Sequence, residues 1–567
     1  KSGAHALGER FILKINDEKA IERFQRYNVG GFDYMDVVIQ DAQTIKKNGE
    51  KLDAEQYGRE MVFTNLEIGD YIYCSYINKQ SYGSKSTEFN SEIWRPNSFV
   101  PTYKTSQTLF FENGTPWVDT ICNGESSLVK TKHDNFTQYT WSSVSPKTLE
   151  DESMMTGEYD KAPAVQFALK HSWKDIVQWY SDISAHQAKS DFTIKILTEE
   201  LLGEKNLTDL EKFQKIYEFV CTNIQYSSID FRQSNIVPQK ASKVYHSRLG
   251  DCKDVSTLFV SIAREAGLKA HLILINTEAK GLFDVLLPAL DFNHCIVKIY
   301  FGNSSMYLEL TDKYLPFGHL YASHFNAPIL EIPNGKIPDD VNVERLKFNP
   351  GYENKILRSS KITIDKGLKM RIVTKTTNIG TSASDICSAY YNVPAEEQKK
   401  MLKQALSADF KSNITIDSCL MGDLKPLQDT GYYTSQYVVE NEVLKLGSFK
   451  SVKIPVTDKL ASTDIFDDKE RKYDFDFVRY EPFEYYSHEM EVKLDNELTF
   501  VEVPKNIDLT YNGCKYNLIF EKLSEKQMKI KRTYTVNRKI VEAAGFGLFK
   551  EFISAINEAE NTHLLLK

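Results

Sequence analysis

The chain has 567 residues, of which 41% are hydrophobic and 26% are charged, and its formal net charge is −8 at pH 7. This length exceeds what one hydrophobic core usually supports, so we expect about two to four domains. The negative charge argues against nucleic acid and against an anionic membrane surface as partners. No apolar run reaches the length of a membrane-spanning helix, so no membrane span is expected.

The eight cysteines do not form a metal-binding pattern. No CxxC pair and no Cys/His cluster with zinc spacing occurs among positions 74, 122, 221, 252, 295, 387, 419 and 514. Protein zinc sites usually draw on such closely spaced ligands. We therefore expect no metal and no cofactor, and we expect most of these cysteines to be buried thiols.

Residues 1–164 predict an N-terminal β-sandwich domain. Alternating apolar and polar residues at 34–40 and 71–77 are separated by turn-forming residues such as those at 46–50. Short strands with turns between them are typical of a sandwich. Residues 146–164 are polar and acidic, which indicates a linker to the next domain.

The stretch from 165 to 340 predicts a second domain that starts with helices. Thr208 and Glu211 have the spacing of a capping box, and an apolar stripe follows them. A second amphipathic run begins at Cys252, with apolar residues at Val255, Leu258, Phe259, Ile262 and Ala266. Cys252 therefore lies at or before the first turn of a helix, where free N–H groups and the helix dipole favour a thiolate.

An imidazole and a carboxylate follow the thiol on successive elements. His294 lies just ahead of a strand pattern at 295–301, and Glu309 falls inside the next strand-like run. A nucleophile, a base and a group that orients the base are what acyl transfer needs. Adjacent strands can bring the last two together on one face. Asp312 is the alternative acid, and the rival histidines are His246, His271 and His319.

Other residues near Cys252 are candidates for supporting roles. Gln239 and Tyr245 are candidates for an oxyanion hole, although backbone N–H groups at the Cys252 turn suit that role better. An apolar loop at 281–288 would be either a substrate wall or a packed loop. Residues 341–567 return to strand patterns, with helices near 393–407 and 547–560, and predict a C-terminal β-rich domain.

The residues around the thiol resemble a known superfamily. Gly250-Asp251-Cys252-Lys253-Asp254 at a helix start, His294 after an asparagine and before a strand, and a carboxylate-Xaa-Thr segment at 309–311 resemble the transglutaminase-like superfamily of papain-type fold. The flanks at 66–76 and 139–143 look like the β-domain that precedes this core in a family of uncharacterised bacterial exported proteins.

The resemblance implies a fold, a set of roles and a location. The fold is α+β, with a papain/transglutaminase-like core between an N-terminal and a C-terminal β-sandwich domain. Cys252, His294 and position 309 would be nucleophile, base and orienting acid. The usual Leu-Asp-Pro-Thr segment reads Leu308-Glu309-Leu310-Thr311 here. We expect a periplasmic, cell-surface or secreted protein whose signal peptide has been removed.

The function predicted from these residues is that of a cysteine peptidase or amidase with a thioester intermediate. Its substrate would be a peptide or protein, and a cell-wall peptide or a glycan is among the expected partners. The departure at Glu309 favours an alternative, a non-catalytic scaffold or binding protein with a degraded triad. A protein-crosslinking transglutaminase is a further alternative, because the same thioester can react with an amine.

Overall fold

The computed structural model describes residues 5–29, 35–80, 89, 91–96, 99, 102–203, 206–227, 236–277, 286–407, 409–410, 413–422, 424–440, 442–460, 470–477, 483–537 and 540–567. Its contacts divide the chain into two compact units. The first unit comprises residues 1–90 together with 231–236, and the second comprises 91–230 and 237–567. The three domains predicted from the sequence are a different division and stay a prediction.

The first unit is built mainly from antiparallel strands. Its elements are β1 (His5–Lys14), α1 (Glu18–Phe24), β2 (Arg26–Asn28), β3 (Met35–Ile45), β4 (Lys51–Asp53), β5 (Glu55–Tyr57), β6 (Glu60–Val62) and β7 (Tyr71–Gln80). One sheet has the order β1-β7-β3-β4 and the other β2-β6-β5. Alternation along these strands sends one set of side chains inward, and the buried set includes Met61, Phe63, Ile72 and Cys74.

The second unit begins with short antiparallel sheets. Their strands are β8 (Ser91–Trp94), β9 (Lys104–Glu112), β10 (Trp117–Cys122), β11 (Ser127–Lys132), β12 (Phe136–Val144) and β13 (Ala164–Leu169), with helix α2 at Glu158–Lys161. The sheet orders are β10-β13-β8 and β11-β12-β9. Trp141, which is fully buried, stacks on Phe167 with ring centroids 5.5 Å apart. Aromatic stacking of this kind adds to the energy of burial.

Helices and a five-stranded sheet form the middle of the second unit. The elements are α3 (Trp173–Gln187), α4 (Phe192–Leu202), α5 (Asp209–Asn223), β14 (Gln225–Tyr226), α6 (Ala241–Ser247), β15 (Leu249–Gly250), α7 (Cys252–Glu265), β16 (Lys269–Ile275), β17 (His294–Phe301), β18 (Ser304–Leu308), β19 (Pro328–Ile332) and β20 (Glu344–Arg345). The sheet order is β18-β17-β16-β19-β20, and all its pairs are antiparallel.

Helix α7 is the central element of this middle region. Every residue from Asp254 to Ala263 is buried, because α4, α5, α6, β16 and β17 all contact the helix. Phe213 on α5 stacks on Phe259 with ring planes only 8° apart. The capping box predicted at the start of α5 is confirmed, since Glu211 N donates to Thr208 Oγ1 at 3.3 Å and Thr208 N donates to Glu211 Oε2 at 2.7 Å.

The remainder of the second unit is β-rich. Its elements are β21 (Lys355–Ile364), β22 (Met370–Ile379), α8 (Thr381–Tyr390), α9 (Ala395–Leu406), β23 (Ile414–Met421), β24 (Thr430–Val439), β25 (Val443–Leu446), β26 (Phe449–Lys453), β27 (Phe475–Asp476), β28 (Tyr485–Leu494), β29 (Ile507–Tyr511), β30 (Cys514–Ser524), β31 (Gln527–Thr535), β32 (Ile540–Val541), α10 (Phe546–Glu560) and β33 (His563–Leu566). An eight-stranded sheet has the order β23-β24-β22-β21-β28-β31-β30-β29. Its buried face forms a large hydrophobic core with α10.

The predicted α+β class is confirmed. The helices α3 to α7 and their sheet are preceded and followed in the chain by β-rich regions. Among the described residues, no helix has the length and apolarity that crossing a bilayer would require.

Candidate active site

Cys252 is the first residue of helix α7, and its side chain is half-buried. Asp251 precedes the helix and accepts a hydrogen bond from Asp254 N at 3.2 Å, while the Asp254 carboxylate accepts one from Asp251 N at 3.3 Å. This capping box fixes where the helix begins. The thiol is thereby held at a helix N-terminus, where unpaired N–H groups and the dipole favour negative charge on sulfur.

A glycine is required at position 250, immediately before this turn, because two elements approach each other closely there. A Cβ at Gly250 would lie 2.9 Å from Asp254 Cβ and 3.2 Å from Val244 Cγ1. The same residue pairs with Tyr226 across the short parallel pair β14–β15. The glycine therefore lets α6, α7 and the strand pair converge on the start of the helix.

Gln239 is held beside the start of α7, and Tyr245 is held elsewhere. Gln239 N donates to Asp254 Oδ1 at 2.7 Å, and its side-chain Nε2 donates to Asp254 Oδ2 at 2.6 Å. The ring of Tyr245 instead packs under the guanidinium of Arg248, whose Cζ lies 4.3 Å from the ring centroid. Of the two side chains considered for an oxyanion hole, only Gln239 is bonded to the helix that carries Cys252.

His294 is the first residue of β17 and links the thiol to a carboxylate. Its Nε2 lies 2.7 Å from Glu309 Oε2, and Cys252 is close enough to the ring to raise the pKa of the imidazole. Because Nε2 is bonded to Glu309, Nδ1 is the nitrogen left for the thiol. Burial lowers the pKa of His294, but the charge and hydrogen bond of Glu309 and the neighbouring Cys252 outweigh it and raise that pKa to about 10.

Glu309 directly follows β18, so it lies one residue beyond the strand in which the sequence pattern placed it. It is 1% exposed, and its carboxylate accepts hydrogen bonds at both oxygens. Burial raises the pKa of the carboxyl, but the charge of His294 and the hydrogen bonds from His294 and His324 hold it well below its usual range. Glu309 is therefore an ionised, fully enclosed partner of His294.

Asp312 lies away from His294, in a separate set of hydrogen bonds. It accepts from Tyr314 N at 2.7 Å, from Ser384 Oγ at 3.0 Å and from the Tyr321 hydroxyl. Ser384 belongs to helix α8, so Asp312 ties the segment after β18 to that helix. The structure thus brings Cys252, His294 and Glu309 together and places Asp312 in a different contact.

Two family models match parts of the sequence. Residues 197–310 match the transglutaminase-like superfamily core, and residues 450–566 match a domain of unknown function, DUF3858. The first match ends one residue after Glu309 and contains Cys252 and His294. The chain carries a transglutaminase-like core domain.

A solved structure shares the fold of the chain. A crystal structure described as a "putative protease" from Parabacteroides distasonis superposes with a TM-score of 0.67 at 12% identity, covering 100% of this chain and 96% of that one. A "putative cysteine protease" from Cytophaga hutchinsonii covers 39% of this chain and 74% of its own, at 12% identity and a TM-score of 0.19. A search of curated proteins found no match. The first similarity extends the shared fold across the flanking β-rich regions.

Three other histidines of the transglutaminase-like domain and its surroundings are bonded away from the thiol. His271 Nδ1 contacts Glu331 Oε1 at 2.5 Å across neighbouring strands. His319 Nε2 contacts Asp429 Oδ1 at 2.7 Å, and the exposed His246 lies 3.5 Å from Thr193 Oγ1. None of these three contacts involves Cys252 or Glu309. The apolar loop at 281–288 lies, up to residue 285, outside the described residues.

His324 is a residue of this site that sequence reasoning missed. It ends the short 3₁₀ turn Ala322–His324, and its Nε2 lies 3.0 Å from Glu309 Oε2. The surrounding connection has no helical or strand periodicity that would predict its direction. The signal that the sequence offered for His324 was the abundance of histidine in this region. Five of the eleven histidines fall at 246, 271, 294, 319 and 324.

His294, Glu309 and His324 offer three possible metal-ligand atoms, which all lie within 4.8 Å of one another. Three ligand atoms are the minimum for a metal site. Ligand atoms of tetrahedral zinc, with bonds of about 2.0–2.1 Å, lie roughly 3.3 Å apart. The two N···O separations here are shorter, at 2.7 and 3.0 Å. These are ordinary hydrogen-bond distances, so the arrangement suits shared protons better than a metal ion.

Proposed function

We propose that the protein is a cysteine peptidase or amidase in which Cys252, His294 and Glu309 act as nucleophile, general acid–base and orienting acid. The observation that carries the proposal is the ionised, 1%-exposed Glu309 bonded at 2.7 Å to His294, an imidazole whose pKa the neighbouring Cys252 also raises. A buried carboxylate on an imidazole that faces a thiol at a helix start supports acyl transfer better than a structural role.

The chemistry follows from these three groups. The Cys252 thiolate attacks the carbonyl carbon of a peptide or amide bond, and the oxyanion is stabilised by N–H groups at the start of α7. The His294 imidazolium gives its proton to the leaving amine as the C–N bond breaks, which leaves a thioester on Cys252. Water then attacks the thioester while His294 takes up a proton, and the acid product leaves as the thiolate–imidazolium pair is restored.

The glutamate does not favour the scaffold alternative, because its longer side chain still reaches His294. The proposed substrate is a peptide or protein, and a cell-wall peptide or a glycan is a proposed partner. A periplasmic or cell-surface location is also part of the proposal. Crosslinking shares the same thioester and differs only in whether an amine or water accepts the acyl group.

Substrate profiling tests the proposal. We expect the wild-type protein to generate new N-termini in a complex peptide mixture and Cys252→Ala to generate none. Because Cys252 is half-buried at a helix start, its truncation should change the free energy of unfolding by no more than about 0.5 kcal/mol. Cys122→Ser, which alters the other half-buried thiol, is the matched control and should cleave like wild type.

Three results would count against the proposal or redirect it. Equal cleavage by Cys252→Ala would remove Cys252 as the nucleophile. An intact peptide mixture after incubation with folded wild-type protein would favour the scaffold alternative. Incorporation of an added primary amine in place of hydrolysis would identify crosslinking.

A further inference from the structure

We infer that His324 is a positioning residue for the candidate active site: it holds the Glu309 carboxylate in the orientation that His294 needs. This inference rests on the proposed function and adds a residue to it. His324 is 3% exposed, and its Nε2 lies 3.0 Å from Glu309 Oε2, the same oxygen that contacts His294. Two imidazoles from different segments therefore converge on one carboxylate oxygen.

The carboxylate of Glu309 is completely occupied by donors. Oε1 accepts from Thr311 N at 2.8 Å and from Thr311 Oγ1 at 2.7 Å. Oε2 accepts from His294 at 2.7 Å and from His324 at 3.0 Å. A carboxylate has about four acceptor sites, so Glu309 has no unused one. Three of the four donors are independent of His294 and fix the plane of the carboxylate.

The length of the glutamate side chain explains why a second imidazole is useful. Glutamate has one more rotatable bond than aspartate, and fixing each rotatable bond costs conformational entropy. Thr311, two residues after Glu309, restrains Oε1 but does not bond to Oε2. His324 approaches Oε2 from a segment 15 residues away. The pair of anchors confines a longer side chain to one rotamer.

His324 is itself held in place. It follows Tyr321 in a 3₁₀ turn, and the two rings stack with centroids 6.2 Å apart and planes 27° apart. The Tyr321 hydroxyl donates to Asp312, which also accepts from Ser384 on α8. Contacts therefore run from α8 through Asp312, Tyr321 and His324 to Glu309, so the imidazole is a rigid support.

The tyrosines and the buried Cys221 that face Glu309 are neutral in the working range. Burial raises the pKa of Tyr217 and of Cys221, both on α5, well above their usual values. Burial also raises the pKa of Tyr226 to about 12 and that of Tyr321 above its usual value. Cys252 lies beyond His294, and the Asp312 carboxylate is engaged by Tyr321 and Ser384. The protonation of Glu309 therefore depends mainly on its two histidines.

Loss of the His324 hydrogen bond has a predictable sign. A hydrogen bond to a carboxylate stabilises its charged form, so removing one raises the pKa of Glu309. As pH falls, Glu309 then takes up a proton at a higher pH than in wild type and stops supporting the His294 imidazolium. The pH below which Cys252 loses its reactivity should therefore rise by about one unit, the difference that one charge-assisted hydrogen bond makes.

The test uses alkylation of Cys252 by iodoacetamide, followed by mass spectrometry across pH 3–9, because this readout needs no substrate. We expect His324→Phe to lower the maximal rate of Cys252 alkylation about tenfold, the change that one pKa unit represents. The pH at which alkylation declines on the acid side should also rise. His324→Gln keeps an amide donor near the Nε2 position and should restore both. His319→Gln alters a second buried histidine, which contacts Asp429 instead, and should match wild type.

The outcomes separate this inference from the proposed function. If folded His324→Phe has the rate and acid limb of wild type, His324 does not position Glu309. If all three variants show the same shift, the effect is general destabilisation and the inference is also wrong. If wild-type Cys252 reacts slowly at every pH, the proposed function fails first. If His324→Phe does not fold, His324→Asn, whose amide is too short to reach Glu309, takes its place.

Discussion

At the scale of single residues, the site depends on how one carboxylate is accommodated. Glu309 stands where the resemblance to the superfamily leads us to expect aspartate, and its additional methylene is absorbed by a backbone position just beyond the end of β18. From there the carboxylate reaches His294 at 2.7 Å while remaining 1% exposed. Its charge is stabilised by surrounding donors, since a buried carboxylate without them would take up a proton.

Glu309→Gln should weaken the reactivity of Cys252. The two Thr311 donors require an oxygen at one end of the amide, which turns its NH₂ toward His294 and His324. His294 Nε2 would then have to accept a hydrogen bond, and the imidazolium would lose its partner. We expect alkylation of Cys252 at pH 6 to fall about tenfold or more, the change that one pKa unit represents. An unchanged rate in the folded variant would contradict the role of Glu309.

The stability of the protein should depend on pH through His294. Its pKa is raised to about 10, above an unfolded value of about 6.5. The stabilisation is therefore fully present below about pH 6.5 and lost as pH rises to about 10. Urea unfolding of wild type should show a decline over this window that His294→Gln lacks. Parallel slopes for the two proteins would mean that His294 is not charged in the folded state.

At the scale of elements, the helix and strand that carry Cys252 and His294 were predictable, and the connection after β18 was not. Helical periodicity located the start of α7, and a strand pattern at 295–301 located β17. The direction of His324 depends on a non-repetitive connection between β18 and β19 that packs on α5 and α8. Local sequence contains no periodic signal for such packing, so His324 and the contact of Asp312 with α8 could not be predicted.

Asp312→Asn should reduce stability and spare the reactivity of Cys252. Asp312 accepts from Ser384 at 3.0 Å and from Tyr314 N at 2.7 Å, and these partners are separate from His294. Weakening these hydrogen bonds should cost about 1–3 kcal/mol of unfolding free energy. Thermal unfolding measures the loss, and alkylation of Cys252 at pH 6 should stay within twofold of wild type. A loss of reactivity as large as that of Glu309→Gln would assign Asp312 a direct part in the site.

At the scale of the whole molecule, segments far apart in sequence join within the second unit. Glu152 accepts hydrogen bonds from Lys472 N at 2.7 Å and Tyr473 N at 3.1 Å, so part of the predicted linker at 146–164 is bonded to the C-terminal region. Such pairings depend on residues hundreds of positions apart, which explains why composition alone indicated only a linker.

Limited proteolysis should distinguish the two predicted boundaries. The stretch 333–351 is more exposed than 150–156, whose backbone is paired with residues near 474. We expect the first cut within 333–351, because proteases need accessible and unpaired backbone. The two fragments should coelute on size exclusion, held by contacts such as Glu152 with Lys472 and Asp312 with Ser384. Stable fragments that end within 250–320 would contradict the predicted domain plan.

The most direct measurement is the rate of iodoacetamide alkylation of each cysteine in the wild-type protein at pH 6. Cys252 and Cys122 are both half-buried, but burial raises the pKa of Cys122, whereas Cys252 faces His294 at a helix start. A thiolate–imidazolium pair at Cys252 and His294 predicts that Cys252 reacts more than about tenfold faster than Cys122. Equal rates for the two thiols would contradict a nucleophilic role for Cys252.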